Sequence, residues 1–278
     1  MRRWEESVGE LARLEYLQGH FDRALDHFGE LWRMARQNGH DQAQVWSRHG
    51  QSTVLLRMGR IEEAASLLEG SPALSLDSAQ TADTILGLGL LAVARLRLGK
   101  RAAARKAAEE TLRQLERTRP MANFNLEGYS GAVEVLLALW DASLRESAGR
   151  SRDLEQLAPR ACGALRAFAR VFPIARPRDR LWRGMILRLS GHPSRAGAVW
   201  REGLEWAGRL RMPYEQALLH LEIGRHAEVG GASGTVHLEC AGEILTRLGA
   251  ASDLARLAAI KEARRLRSGT AGGDTTEG

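Results

Sequence analysis

Apolar residues recur at intervals of three and four along most of the chain, with polar residues between them. This spacing places the apolar side chains on one face of a helix. Val and Ile are sparse, and no stretch strictly alternates apolar and polar residues, so the pattern predicts no strands. It therefore predicts an all-α protein. The faces on either side of Gly19 illustrate the spacing: Val8, Leu11, Ala12 and Tyr16 precede it, and Phe21, Ala24, Leu25, Phe28, Leu31 and Ala35 follow it.

A short turn pattern, Gly followed five residues later by Ala, interrupts the helical spacing four times. A helix that reverses direction commonly ends at a residue with positive φ, which Gly tolerates best. The small Ala one turn into the next helix then lets the two backbones approach closely. The first three glycines are 40 residues apart. The four structural pairs are Gly19 with Ala24, Gly59 with Ala64, Gly99 with Ala104, and Gly191 with Ala196.

These turns predict a stack of helix hairpins. The gap between Gly99 and Gly191 has room for one more hairpin, with helices near 122–146 and 153–172. Beyond the fourth turn, a helix should begin at Pro213, break at Gly230 and Gly231, and be followed by helices at 236–248 and about 252–265. We expect about thirteen helices in roughly six antiparallel hairpins, stacked into a superhelix with a concave inner surface. This arrangement resembles a right-handed superhelical array of the tetratricopeptide-like α-solenoid type. Residues 1–266 should form this repeat domain and 267–278 a disordered tail.

The cysteine content and the apolar runs indicate the class of protein and its location. The 278 residues include only two cysteines, Cys162 and Cys240, which favours two core residues over a disulfide scaffold or a zinc site. The first residues lack the apolar stretch of a signal peptide. The longest apolar run, 85–94, is about half the length that spans a membrane. We therefore expect a cytoplasmic protein with no membrane partner.

Positive charge is concentrated in one segment. The chain carries a net charge of +6, but residues 160–211 hold 12 arginines against three acidic residues, so this segment carries +9 and the remainder −3. Arginines on solvated helix faces are one interpretation, and a surface for an acidic partner is another. Nucleic acid is the least favoured of the three. The strongest candidate for partner binding in this segment is Arg176, Arg178, Arg180, Trp182 and Arg183, since Arg and Trp are enriched at interfaces; the alternative is a helix start with Trp182 in the core.

Three short motifs resemble catalytic or cofactor-binding signatures but lack their context. Residues 87–92 match the dinucleotide fingerprint, which requires a preceding strand. Residues 128–132 come near the nucleophile elbow around Ser130, but Ala132 replaces its last Gly. Residues 237–240 contain the His-x-Glu of zinc deaminases without the paired cysteines. The sequence therefore predicts no catalytic residue, no cofactor and no metal site.

The turn pattern and paired helices resemble tetratricopeptide repeats, in a degenerate form similar to MalT repeats. More specifically, the chain resembles the C-terminal repeat segment of bacterial signalling proteins that join a class III adenylate/guanylate cyclase domain to an AAA-type ATPase module. The likeness spans most of residues 45–260. It is carried by residues 86–117, by 126–129 with 133–140, and by 168–173 with 180–226, including Met212 to Ala217.

The resemblance implies a regulatory or partner-binding role without the activities of those proteins. The Walker A motif is absent: the Gly99-Lys100 pair has Ala94 in place of the first Gly and is followed by Arg101. The leading hypothesis is a non-catalytic scaffold that binds a protein or peptide segment in its concave groove. The alternatives are a ligand- or partner-sensing repeat domain of a transcription regulator and, third, an enzyme. The sequence does not indicate an oligomeric state.

Overall fold

Thirteen α-helices make up almost the whole of the computed structural model, which describes residues 2–71, 81–146, 151–227 and 232–271. No strand occurs in these ranges. This confirms the all-α class and the expected helix count. The helices are α1 (Arg2–Leu17), α2 (Phe21–Gln37), α3 (Asp41–Met58), α4 (Ile61–Glu69), α5 (Thr81–Arg97), α6 (Arg101–Arg117), α7 (Leu126–Arg145), α8 (Arg152–Val171), α9 (Arg176–Leu189), α10 (Pro193–Arg209), α11 (Pro213–His226), α12 (Ala232–Leu248) and α13 (Ala251–Ala271).

The turns between helices combine a glycine at positive φ with a buried alanine in the next helix. The glycines at 19, 59, 99 and 191 have φ angles of 83°, 82°, 74° and 83°. The alanines at 24, 64, 104 and 196 are fully buried, so each second helix packs closely on the first. Gly39, Gly249 and Arg211 also have positive φ and end helices. The Gly–Ala pattern does not include these three turns, because Gln44, Leu254 and Gln216 replace its Ala and Arg211 also replaces its Gly. The helix boundaries near Gly249 and Pro213 were nevertheless predicted, and the turn at Gly39 was not.

The helices form six antiparallel hairpins, α1/α2 to α11/α12, followed by α13. From α1 to α11, each odd-numbered helix contacts the next odd-numbered helix as well as its own hairpin partner. The odd-numbered helices therefore form a continuous inner layer, and the even-numbered helices lie outside it. This is the hairpin array, an α-solenoid, that the repeat pattern predicts. No described helix is both long and apolar enough to cross a membrane.

The inner layer is tightest where α5 crosses α7. A Cβ atom added to Gly89 would lie 2.3 Å from the carbonyl oxygen of Gly128, and one added to Gly131 would lie 2.5 Å from that of Gly89. Only glycine permits such a close approach of two backbones. Two of the short motifs, 87–92 and 128–132, thus face each other as packing surfaces of two helices. Helical backbone, with no strand before it, excludes the dinucleotide fingerprint and the nucleophile elbow here.

The array coils until its end meets its beginning. A Cβ atom on Gly19 would clash with the side chain of Leu248, and one on Gly59 would lie 3.3 Å from Ala251. The C-terminal helix α13 contacts α3, and Arg97 of α5 donates to Ser252 at 3.1 Å. Turns near the N-terminus therefore pack against the α12–α13 turn. The two ends of the coil contact each other there, so the coil is closed.

Three boundaries differ from the expectations. The helix expected near 122 begins at Leu126, because residues 123–125 form a 3-10 turn. The helix expected at 236 begins at Ala232. The last helix continues to Ala271, so residues 267–271, assigned to the tail, are helical; one Gly costs a helix only about 1 kcal/mol, and Gly269 does not end it. Gly230, Gly231 and residues 272–278 lie outside the described residues.

Candidate functional site

The five residues proposed for partner binding point in two directions. Arg178 is completely buried and Trp182 is 6% exposed, so neither is available to a partner. The expectation of a five-residue surface is therefore wrong for these two, because both point from α9 into the centre of the coil. Trp182 donates from Nε1 to Ser130 of α7 at 2.9 Å, which places it in the core, the alternative that the sequence left open. Arg176, Arg180 and Arg183 are partly exposed.

Arg178 belongs to a buried network of five side chains, the central network, formed by Tyr16, Arg57, Glu127, Arg178 and Glu215. Arg178 donates to Glu215 at 2.6 Å and to both carboxylate oxygens of Glu127 at 3.5 Å. Arg57 donates to Glu127 at 2.5 Å, and the Tyr16 hydroxyl donates to the same carboxylate at 2.8 Å. Two positive charges thus face two negative charges with almost no access to water.

Each member of the central network comes from a different inner helix. Tyr16 and Arg57 lie at the ends of α1 and α3, whereas the other three lie in the first turns of α7, α9 and α11. The network therefore fills the centre of the coil where these five helices converge. The expectation of an open concave groove must be corrected at this point: buried, mutually paired side chains occupy it.

Three groups of the central network keep their protonation states near neutral pH. Burial alone would raise the pKa of Glu127, but the guanidinium groups of Arg178 and Arg57 outweigh it and lower that pKa to about 2. Burial would likewise lower the pKa of Arg178, but Glu127 and Glu215 raise it well above its ordinary value. Burial also raises the pKa of Tyr16, which keeps its hydroxyl protonated as a donor. None of these three groups exchanges a proton near neutral pH.

Tyr214 connects the central network to the last helix. The guanidinium carbon of Arg57 lies 4.6 Å from the centre of the Tyr214 ring, a favourable cation–π geometry. The Tyr214 hydroxyl donates to Asp253 of α13 at 2.7 Å. A few residues further along α13, Arg256 pairs with the buried Glu222 of α11. These contacts hold α13 against the inner layer.

An apolar cavity of about 210 Å³ opens beside the central network, between α1 and the start of α7. Tyr16 and Glu127 form the boundary that it shares with the network. Its apolar wall includes four aromatic rings in a chain with few aromatic residues. These rings belong to Tyr16, Phe28, Trp46 and Phe124, and Gly9, Leu17, Leu31, Gly50, Thr53, Leu86, Leu126 and Ile174 also line the cavity.

The mouth of the cavity is polar. Arg13 of α1 donates to the side chain of Asn123, in the 3-10 turn before α7, at 2.8 Å. Arg13 also pairs with Glu10, one turn earlier on α1. These residues connect the two walls of the cavity across 110 positions of sequence. The cavity could not be predicted from the sequence, because its walls come from six separate segments and its four aromatic residues share no local pattern.

In the described part of the chain, the candidate nucleophiles and metal ligands do not come together as a reactive group. Burial, and then Asp179, raises the pKa of the Cys162 thiol to about 12, so it stays protonated and inert. Cys240, expected in the core, is only partly buried. His220 and His237 lie 2.8 Å apart across α11 and α12, a pairing that sequence spacing could not reveal. Within the described ranges, no group of three or more His, Cys, Asp or Glu side chains could hold a metal ion.

No protein-family model and no curated protein matches this sequence. Among solved structures, one described as the TPR2AB-domain:pHSP90-complex of yeast Sti1 aligns over 94% of this chain and 99% of that chain, with 14% identity and a TM-score of 0.36. The contacts between successive helices of this chain define it as a helical-repeat array.

Proposed function

We propose that this chain is a non-catalytic protein-binding module, and that its recognition site is the apolar cavity between α1 and the start of α7. The cavity takes one apolar side chain of a partner segment as an anchor. The observation that carries this proposal is a partly open cavity with aromatic walls on the inner face of a helical-repeat array. Inner faces of such arrays are extended binding surfaces, and here the central network leaves this part of the face accessible.

The size of the cavity favours a side chain over a larger molecule. Pockets for drug-sized ligands measure roughly 300–1,000 Å³. A cavity of about 150 Å³ is sufficient for benzene. The volume of 210 Å³ therefore fits one aromatic or branched aliphatic side chain. A buried aromatic or aliphatic anchor in a pocket, with polar groups at its rim, is the usual centre of a protein interface.

The polar groups at the cavity support binding more than catalysis. Both oxygens of Glu127 accept hydrogen bonds, from Tyr16 and from the arginines at 57 and 178. A general base needs a pKa near the working pH, and the pKa of Glu127 is about 2. We therefore infer a structural role for the Glu127 carboxylate.

The test compares two glycine variants of the same size. Gly9 lines the cavity, so Gly9→Leu should fill it; Gly29 has no atom within 4 Å of an added Cβ, so Gly29→Leu is the matched control. A displayed library of random peptides is first selected on the unaltered protein. We expect enriched peptides to share one large apolar residue and to bind Gly9→Leu at least about tenfold more weakly than Gly29→Leu. Failure to enrich any peptide, or equal binding to both variants, would contradict the proposal.

A ligand-sensing domain is the second candidate, and the same cavity favours it. If the occupant is a free molecule, compact apolar compounds such as indole or phenol should raise the melting temperature of the unaltered protein. They should have no effect on Gly9→Leu. This outcome, together with failure of the peptide selection, would replace protein binding by small-molecule sensing.

We further propose, from the sequence resemblance alone, that the module serves a bacterial signalling protein related to the cyclase–ATPase family, in the cytoplasm. Support comes from the stretches at 86–117, at 126–129 with 133–140, and at 168–173 with 180–226. An immunoblot of source cells with an antibody against this chain measures the size of the native protein. A band much larger than 30.6 kDa would support a multidomain signalling protein, and a band near 30.6 kDa would contradict that parentage.

A further inference from the structure

We propose that a second surface of this protein binds an acidic protein segment. This basic surface consists of Arg166 and Arg170 of α8 and Arg176, Arg180 and Arg183 of α9. None of these five residues lines the cavity or belongs to the central network, and Arg176 and Arg180 face α10. The proposal is therefore independent of the peptide site proposed above.

Three of the five arginines in the basic surface are grouped around one buried carboxylate. Asp179 pairs with Arg180, and Arg183 and Arg166 lie near enough to act on the pKa of the same carboxyl group. Burial, despite these three arginines, raises the pKa of Asp179. The group as a whole carries an excess of positive charge, because one aspartate faces three guanidinium groups from two helices.

Most of these guanidinium groups are available for new bonds. In the described part of the chain, Arg166, Arg170, Arg176 and Arg183 form no ion pair, whereas Arg180 donates to Glu202 of α10 at 2.8 Å. Many arginines elsewhere pair with a carboxylate three residues away, as Arg60 does with Glu63. The positive charge of these four guanidinium groups is therefore not cancelled by a paired carboxylate.

One arginine is already oriented by an aromatic ring. The guanidinium carbon of Arg176 lies 4.1 Å from the centre of the Trp206 ring on α10. Stacking on a ring restricts the side chain but leaves the N–H groups at its edge free to donate. A planar guanidinium held in this way is suited to a carboxylate, which it can bind through two parallel hydrogen bonds.

The occupant is a protein segment because acidic residues interrupt the surface. Glu202 and Glu205 of α10 are 58% and 68% exposed and lie beside Arg180 and Trp206. A nucleic acid carries a phosphate at every nucleotide and would be repelled there. A peptide can place neutral residues opposite Glu202 and Glu205 and carboxylates opposite the arginines.

The probe for this proposal is a fluorescently labelled peptide of alternating Glu and Ser, titrated with the full chain at physiological ionic strength. The test variant is Arg166→Gln/Arg176→Gln/Arg183→Gln. The control is Arg23→Gln/Arg33→Gln/Arg117→Gln, which removes the same charge from exposed positions on α2 and α6. We expect the test variant to bind at least about tenfold more weakly and the control to change by less than about twofold.

A second variant distinguishes weaker binding from misfolding. Arg166→Gln/Arg170→Gln changes only exposed residues of α8 and should weaken binding about threefold while thermal melting stays unchanged. Equal weakening in test and control variants would overturn the proposal, since net charge alone would explain it. No binding by the unaltered chain would also overturn it. So would displacement of the peptide by single-stranded RNA or phosphatidylserine vesicles at lower anion concentration than by unlabelled peptide.

Discussion

Glu127 is the single side chain on which most of the inner helices converge. Its carboxylate accepts from Tyr16 of α1, Arg57 of α3 and Arg178 of α9. Buried ion pairs are weak evidence for stability, because each charge costs several kcal/mol to remove from water. Removing one partner is different, since it leaves a buried charge uncompensated. The central network therefore specifies how the helices meet, and each member becomes sensitive to the loss of another.

Arg178→Met should destabilise the protein by about 3–5 kcal/mol, because Glu215 would lose the arginine that it pairs with and Glu127 would keep only Arg57. The double variant Arg178→Met/Glu215→Gln restores the charge balance in the interior. We expect the double variant to be more stable than Arg178→Met alone. Urea unfolding of the single and double variants measures this coupling. Additive losses would show that the two side chains do not act as an ion pair.

Two buried carboxylates, Glu127 of the central network and Glu222 of α11, make stability depend on pH. The pKa values of Glu127 and Glu222 are lowered from 4.5 to about 2 in the folded protein. Such carboxylates stabilise the fold above their unfolded pKa and lose this contribution as pH falls through the folded pKa. We expect the urea midpoint to fall between about pH 4.5 and about pH 2, and to fall less steeply in Glu127→Gln. A midpoint with the same slope in both proteins would contradict these shifts.

At the scale of helices, the crossing of α5 and α7 determines the spacing of the inner layer. Gly128→Ala would place a Cβ atom 2.7 Å from the carbonyl oxygen of Ile85, and neither backbone can move independently of its helix. We expect a loss of about 1–3 kcal/mol from overpacking. Gly163→Ala on α8 is the matched control, with no atom near its added Cβ. The control should be neutral or stabilise the protein by up to about 1 kcal/mol. The melting temperatures of the two variants measure this difference in stability.

The hairpin turns make a second prediction at this scale. Ala104→Arg should cost several kcal/mol, roughly 3 or more, because it forces a charge into the fully buried contact between α5 and α6. Ala102→Arg, two residues earlier on an exposed face of α6, is the control and should change stability by less than about 0.5 kcal/mol. Similar melting temperatures for the two variants would contradict the packing of this hairpin.

Local structure could be predicted from the sequence, and the candidate site largely could not. The four glycine turns depend on residues five positions apart, so a pattern reveals them. The central network and the cavity join residues such as Tyr16 and Glu127, which are 111 positions apart. Nothing local determines how far the array coils. The available signal for the central network was the presence of two charged residues, Arg57 and Arg178, within apolar helix faces. The sequence prediction placed Arg178 on the surface.

For the whole molecule, the main consequence of the fold is that the two ends of the coil stabilise each other. In an open solenoid each repeat contacts only its neighbours. Here α13 contacts α3, and Tyr214 joins α11 to α13 through Asp253. Unfolding should therefore be cooperative across the chain.

Tyr214→Phe tests this coupling. It leaves the carboxylate of Asp253 buried without its donor, and we expect a loss of about 1–3 kcal/mol together with faster hydrogen exchange in α13 and α3. Tyr129→Phe, another buried tyrosine but without a hydrogen-bonded hydroxyl among the described contacts, should change neither quantity appreciably. Faster exchange confined to α13 would show that the two ends unfold independently.

Closure of the coil is the feature on which the proposed site depends. It brings the central network into the middle of the inner face and leaves the cavity accessible. Its most direct test is the distance between spin labels on Gln18→Cys and Arg247→Cys, with Cys162 and Cys240 replaced by Ala. Both labelled positions are exposed and flank the contact of Gly19 with Leu248. A single narrow distribution at the short end of the measurable range is expected. A broad distribution at long distances would mean an open superhelix and would contradict the account.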